Sequence, residues 1–96
     1  MAAPLEGIRV LDLTRFLAGP FAGMILADYG ADVIRVESPK GRELRGTGEV
    51  RDNYFFLSAN RGKRSLTIDL ANPDGAELLL RLAGEADVLL ENFRPG

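Results

Sequence analysis

Short apolar runs alternate with helix-like segments along the chain. Residues 8–13 and 32–37 are apolar, β-branched runs, and residues 64–70 alternate polar with apolar side chains, so all three predict strands. A fourth strand is predicted over residues 87–91, around the apolar run 88–90 that follows the last helical segment. Strand, helix and strand within about thirty residues predict a βαβ unit with a right-handed crossover and parallel strands.

Proline, asparagine and glycine mark the ends of two predicted helices. Pro20 stands where the first helix would begin, because its fixed φ suits the first turn. Gly30 suits the left-handed conformation that closes a helix. The second helix is predicted to have Asn72 as its N-cap and Pro73 in its first position, and Gly84 can end it. The pattern therefore predicts an α/β fold.

The length of the chain predicts a single unit over residues 1–96. A chain of 96 residues buries only about two-thirds of its unfolded surface, so its margin of stability is thin. The polar turn at residues 91–96 follows the fourth strand, and no further helix covers the sheet. We therefore expect the amino-terminal part of a larger protein, with the rest absent.

Composition narrows the possible chemistry. The chain has no cysteine and no histidine, which removes thiolate nucleophiles, the commonest general base and the commonest metal ligands. Residues 35–64 carry eight basic and four acidic side chains, against four basic and ten acidic elsewhere. This asymmetry favours a local anion site over a nucleic-acid surface. No signal peptide or membrane-length apolar run is present, so we predict a cytoplasmic protein with no membrane partner.

Three loops follow predicted strands and would meet at one edge of a parallel sheet. They are residues 14–19, 71–73 and 91–96. The predicted helix N-termini point to the same edge, which favours a nucleotide or pyrophosphate site. Ordinary βα turns would use the same glycine and proline residues, and both interpretations remain open at this point. Residues 13–20 lack G-x-G-x-x-G, and no Walker lysine is present, so NAD and ATP are not favoured.

Several charged or polar residues near the predicted strand ends are candidates. Lys63 and Arg64 concentrate positive charge before the third strand, which suits a phosphate contact or, more commonly, a solvated turn flanking a strand. Asp12 and Asp69 lie within strands, and we expect each to be a satisfied, partly exposed residue. Asn92 can donate and accept hydrogen bonds, which suits an amide-rich or adenine-bearing ligand.

Five ordered segments together resemble the amino-terminal part of the class III CoA-transferases. They are residues 4–13, 18–20, 30–37 (GADVIRVE), 60–66 (NRGKRSL) and 86–96 (ADVLLENFRPG). The family includes formyl-CoA transferase, the carnitine CoA-transferase group and the α-methylacyl-CoA racemases. The resemblance covers almost the whole chain. It implies a Rossmann-like, three-layer fold with a mostly parallel sheet that binds coenzyme A, in a homodimer of two interlocked chains.

The resemblance also implies which residues contact coenzyme A. By position they are Leu17 and Ala18 in the first loop, Ile68, Asp69, Leu70 and Ala71 around the adenine, and Asn92, Phe93 and Arg94 near the pantetheine end. Lys63 and Arg64 join this set as candidate phosphate contacts. Phe93 could instead fill the core, as a lone phenylalanine usually does.

Two positions depart from the family pattern. Family members often carry an arginine where this chain has Ser38, and the formyl-CoA type carries a glutamine where this chain has Leu17. The second difference argues against formyl-CoA as the substrate.

The resemblance places the catalytic residues beyond Gly96. Its transferases use an aspartate that forms an acyl anhydride, and its racemases use a His/Asp pair. We therefore expect no catalytic residue and no metal in this chain, and we expect coenzyme A or an acyl-CoA as a substrate rather than a permanent cofactor. The predicted function is CoA transfer between an acyl-CoA and a carboxylic acid, with the chain alone inactive. The alternatives are part of an α-methylacyl-CoA racemase, or a stand-alone CoA- or nucleotide-binding module.

Overall fold

The computed structural model describes residues 3–15, 18–39 and 60–93. Within these ranges lie four strands and two helices: β1 (Arg9–Asp12), α1 (Ala18–Asp28), β2 (Asp32–Glu37), β3 (Arg64–Thr67), α2 (Pro73–Gly84) and β4 (Val88–Leu90). The strands form one sheet in the order β3-β2-β1-β4, and each neighbouring pair is parallel. The predicted α/β fold with a parallel sheet is confirmed.

The two faces of the sheet carry separate apolar clusters, because neighbouring residues of a strand point to opposite faces. On one face, Leu11, Val36 and Ile68 pack against residues of α2, including Leu79 and Leu82. On the other face, the buried residues are Val10, Ala31 and Val33, and those packed against them include Leu26 and Ala27 of α1. A helix therefore covers each face, which gives the three-layer arrangement.

Three of the four helix ends follow the signals in the sequence, whereas α1 begins at Ala18, two residues before the predicted start at Pro20. Gly30 has a φ of 105°, and the N–H groups of Gly30 and Ala31 donate to the carbonyls of Ala27 and Leu26 at 3.0 and 3.1 Å. This is the Schellman arrangement in which a left-handed glycine closes a helix. At the start of α2, Asn72 Oδ1 accepts the N–H of Asp74 at 2.8 Å. The predicted C-cap and N-cap are both confirmed.

The third strand is shorter than its alternating pattern predicts. The N–H of Ile68 still donates to Glu37 O at 2.9 Å, but the chain then turns, and Asn72 N–H donates to Asp69 O at 3.1 Å. Asp69 Oδ1 accepts the N–H of Ala71 at 3.1 Å, the bond of an Asx turn. Asp69 therefore ends the extended segment and starts the connection to α2.

Candidate functional site

A pocket of about 210 Å³ opens at the carboxyl edge of the sheet. Segments at or beyond the ends of all four strands line it: residues 13–15, 36–38, 68–71 and Phe93. In open α/β sheets this edge is where ligands bind. The parallel topology therefore brings together the loops that the sequence analysis expected to meet.

The turn after β3 forms one wall of the pocket. Ile68 is buried, whereas Asp69, Leu70 and Ala71 are exposed. The first turn of α2 approaches this turn closely, because a Cβ added to Gly75 would lie 2.0 Å from the carbonyl oxygen of Asp69. Glycine at position 75 thus allows the helix to sit directly behind the four residues expected around an adenine.

A side-chain amide joins the loops that follow β1 and β4. Asn92 Oδ1 accepts the N–H of Arg15 at 3.0 Å, and Asn92 Nδ2 donates to Arg15 O at 2.9 Å. The N–H of Leu13 donates to Leu90 O at 2.9 Å, which extends the pairing of these two strands. The guanidinium carbon of Arg15 lies 5.5 Å from the centre of the Phe93 ring, in cation–π contact. The two loops are therefore fixed to each other beside the pocket.

Buried charges lie at the carboxyl end of β1. Asp12 is fully buried, and its Oδ1 accepts both the N–H (2.9 Å) and the hydroxyl of Thr14. Its Oδ2 accepts Lys63 Nζ at 2.5 Å. The ammonium also donates to Pro20 O and Asn60 Oδ1, each at 2.8 Å, so all three donors of Lys63 are used. The expectation that Asp12 is partly exposed is wrong, because Lys63 covers it.

Two further buried charges complete this polar cluster of Asp12, Arg35, Glu37 and Lys63. Arg35 donates through Nη1 to Thr14 O at 3.2 Å and to Asn60 Oδ1 at 3.3 Å. Glu37 Oε1 accepts the hydroxyl of Ser65 at 2.8 Å and lies 3.9 Å from Arg35 Nε. The cluster therefore pairs two cations with two carboxylates.

Burial lowers the pKa of the Lys63 ammonium below its ordinary value of 10.5. The hydrogen bond and the charge of Asp12 oppose this shift, whereas the charge of Arg35 adds to it. For Lys63, the cost of removing the ammonium from water therefore outweighs the stabilisation from the Asp12 carboxylate. Sequence reasoning missed the cluster, although charged residues at interior positions of β1 and β2 were a visible signal.

The structure places the predicted contact residues in different surroundings. Ile68, Asp69, Leu70, Ala71 and Phe93 line the pocket together. Asn92 lies beside it, and Ala18 is the first residue of α1 but does not line it. Leu17 and Arg94 lie outside the described residues.

The two predicted phosphate contacts already have protein partners. The Lys63 side chain is 1% exposed and is held by Asp12. Arg64 binds Asp32 with two hydrogen bonds, of 3.0 and 2.6 Å, where β2 and β3 begin, away from the pocket. Among the described residues that line the pocket, the basic side chain is instead that of Arg15, which charge patterning did not select.

Comparison with known proteins now gives the family. Residues 5–96 match CoA-transferase family III. The chain belongs to this family. The resemblance noted in the sequence is therefore confirmed, and the strand-end pocket belongs to the amino-terminal portion of a CoA-transferase fold.

Individual relatives agree with this assignment. The chain is 49% identical to a probable fatty acyl-CoA transferase of Mycobacterium tuberculosis, over 99% of this chain and 25% of the relative. It is 46% identical to a succinate–glutarate CoA-transferase of Agrobacterium fabrum, over 95% of this chain and 25% of the relative. A crystal structure of the mycobacterial protein superposes with a TM-score of 0.89 at 50% identity, over 99% of this chain and 26% of that one. The chain thus spans about a quarter of the length of these relatives.

Two kinds of feature are absent from residues 3–15, 18–39 and 60–93. In the part of the chain that the structure describes, no helix is long and apolar enough to cross a membrane. The same residues contain no group of three or more acidic side chains arranged to hold a metal ion.

Proposed function

We propose that this chain is the amino-terminal, CoA-binding portion of an enzyme that moves coenzyme A between an acyl-CoA and a carboxylic acid. Family membership and relatives named as CoA-transferases support the reaction class. Acyl-CoA and a carboxylic acid are the substrates, and coenzyme A is not a permanent cofactor. The interlocked homodimer, which the family resemblance implies, stays a prediction. The cytoplasmic location, which the sequence pattern implies, stays a prediction as well.

The observation that carries the proposal is the pocket at the carboxyl edge of the sheet. Its volume of about 210 Å³ is below the range of roughly 300–1,000 Å³ that holds a whole drug-sized ligand. It therefore suits one moiety of coenzyme A. The adenine is the natural candidate, because the exposed turn of residues 69–71 and the apolar residues Leu13 and Ile68 line the same space.

The chain's part in the reaction is binding and orientation. Holding the acyl carrier in a fixed position lowers the entropic cost of the transfer step. The chain contains no histidine or cysteine. Of the described carboxylates at or beside the pocket, Asp12 and Glu37 are buried in ion pairs, and Asp69 Oδ1 accepts the N–H of Ala71 in an Asx turn. We therefore assign the acyl-accepting nucleophile to a part of the enzyme other than this chain.

A substitution that fills the pocket tests the binding step. Ala71→Trp places an indole in the cavity, and Ala22→Trp adds the same group to an exposed position of α1 that does not line it. We expect isothermal titration calorimetry to show CoA binding to the native protein and to Ala22→Trp but not to Ala71→Trp. An Ala71→Trp variant that binds CoA with native affinity would contradict the assignment of the site.

A second experiment tests whether this chain binds coenzyme A without transferring it. The chain is incubated with succinyl-CoA and glutarate, and new thioesters are sought by mass spectrometry. We expect CoA binding without a new thioester. Formation of glutaryl-CoA by the chain alone would show that the nucleophile lies within it.

A further inference from the structure

We propose that Asn92 is a positioning residue that fixes the backbone of Arg15. The guanidinium of Arg15, supported by Phe93, is then held where it binds a phosphate group of coenzyme A. This inference rests on the proposed function, because it assigns roles within the same pocket.

Asn92 holds the backbone of Arg15 through two hydrogen bonds. The oxygen and the nitrogen of its amide both bond to the backbone of Arg15, 77 residues earlier in the chain, at 3.0 and 2.9 Å. One bond holds the N–H of Arg15 and the other holds its carbonyl, as the two bonds of a hydrogen-bonded pair of antiparallel strand residues do. The polar atoms of Asn92 are thus engaged with protein, and its effect on a ligand passes through Arg15.

The Arg15 guanidinium lies at the pocket, beside an aromatic ring. It lies 5.5 Å from the Phe93 ring centre, and both residues line the pocket. A planar guanidinium stacks on aromatic faces and binds phosphate with two parallel hydrogen bonds.

Acidic and basic side chains of the described residues line different sides of the pocket. Of the described residues that line the pocket, the acidic ones, Glu37 and Asp69, belong to the ends of β2 and β3, whereas Arg15 stands on the side of β1 and β4. An anionic group of the ligand is therefore expected beside Arg15 and Phe93.

A double-mutant cycle tests the inference. CoA affinity is measured by isothermal titration calorimetry, at low and at high salt, for the native protein, Arg15→Gln, Asn92→Ala and the double variant. Arg81→Gln is the matched control, because Arg81 is exposed on α2 and pairs only loosely with Glu77, at 3.5 Å. Thermal unfolding checks that each variant is folded, and Asn92→Ser, whose shorter side chain cannot make both bonds, replaces Asn92→Ala if that variant unfolds.

Loss of a charge-assisted hydrogen bond should weaken CoA binding about tenfold or more in Arg15→Gln. Asn92→Ala should weaken binding similarly, the double variant should bind no more weakly than Arg15→Gln, and all three should lose part of the native salt dependence. The inference would be overturned if the two substitutions weakened CoA binding independently, so that their effects multiplied in the double variant. It would also be overturned if Asn92→Ala kept the native salt dependence. Neither result would contradict the proposed function, because the native protein would still bind CoA. A native protein that does not bind CoA would overturn the proposed function as well.

Discussion

Replacing Lys63 with methionine would remove the cation at the centre of the buried polar cluster. Methionine keeps most of the apolar stem but deletes the ammonium that donates to Asp12, Pro20 and Asn60 at 2.5, 2.8 and 2.8 Å. The carboxylate of Asp12, fully buried, is then left without its cation. Breaking a buried ion pair in this way costs about 3–5 kcal/mol, a large part of the roughly 5–15 kcal/mol that stabilises a typical domain.

Urea unfolding followed by circular dichroism measures this loss. Arg81→Met is the matched control, because its ion pair with Glu77 is exposed and should contribute less than about 1 kcal/mol. Adding Asp12→Asn to Lys63→Met removes the unpaired charge but keeps an oxygen to accept from Thr14, so the double variant should be more stable than Lys63→Met alone. A Lys63→Met variant that loses no more stability than Arg81→Met would refute the role of this buried ion pair. A double variant that is less stable than Lys63→Met alone would refute it too.

Three further predictions concern the same framework. The folded-state pKa of Lys63 lies below the 10.5 of the unfolded chain. At a pH between the two pKa values, the unfolded state therefore binds the proton more tightly than the folded state. The contribution of Lys63 to stability should therefore rise as pH increases through that window, and urea unfolding across it should show no such rise when Lys63→Met is combined with Asp12→Asn. Gly23→Ala should destabilise by about 1–3 kcal/mol, because the new methyl group would lie 2.5 Å from Asp12 Oδ2; Gly84→Ala, with nothing within 4 Å of the added Cβ, is its control and should lose nothing in thermal unfolding. Asn72→Ala should cost about 1 kcal/mol by removing the N-cap of α2, and a native urea midpoint would contradict that role.

Local signals were enough to predict most of the framework. The strand at Asp32–Glu37 has the predicted bounds, since its apolar residues follow a glycine that closes the preceding helix. The start of α2 was predictable for the same reason, because Asn72 and Pro73 act through neighbouring backbone groups. Features set within four or five residues can be read from a sequence, and parallel order then follows from the βαβ connection.

The candidate site was predictable only in part, because its polar contacts join distant residues. Asp12 and Lys63 are 51 residues apart, and nothing near either one indicates that the ammonium covers the carboxylate. Charge patterning selected Lys63 and Arg64 as cations, but a sequence does not show that a carboxylate already binds each of them. Arg15 was overlooked because its place in the pocket depends on Asn92, which lies 77 residues later.

The polar cluster and the Asn92 contact act on the same short loop. Thr14 lines the pocket, its N–H and hydroxyl are held by Asp12, and its carbonyl accepts Arg35 Nη1. Asn92 fixes the next residue, Arg15, from the other side. A substitution of Lys63 that weakens CoA binding would therefore report the displacement of this loop rather than the loss of a phosphate contact. The two causes differ in their response to salt, because screening acts on a charge that meets the ligand and hardly on one buried beneath the loop.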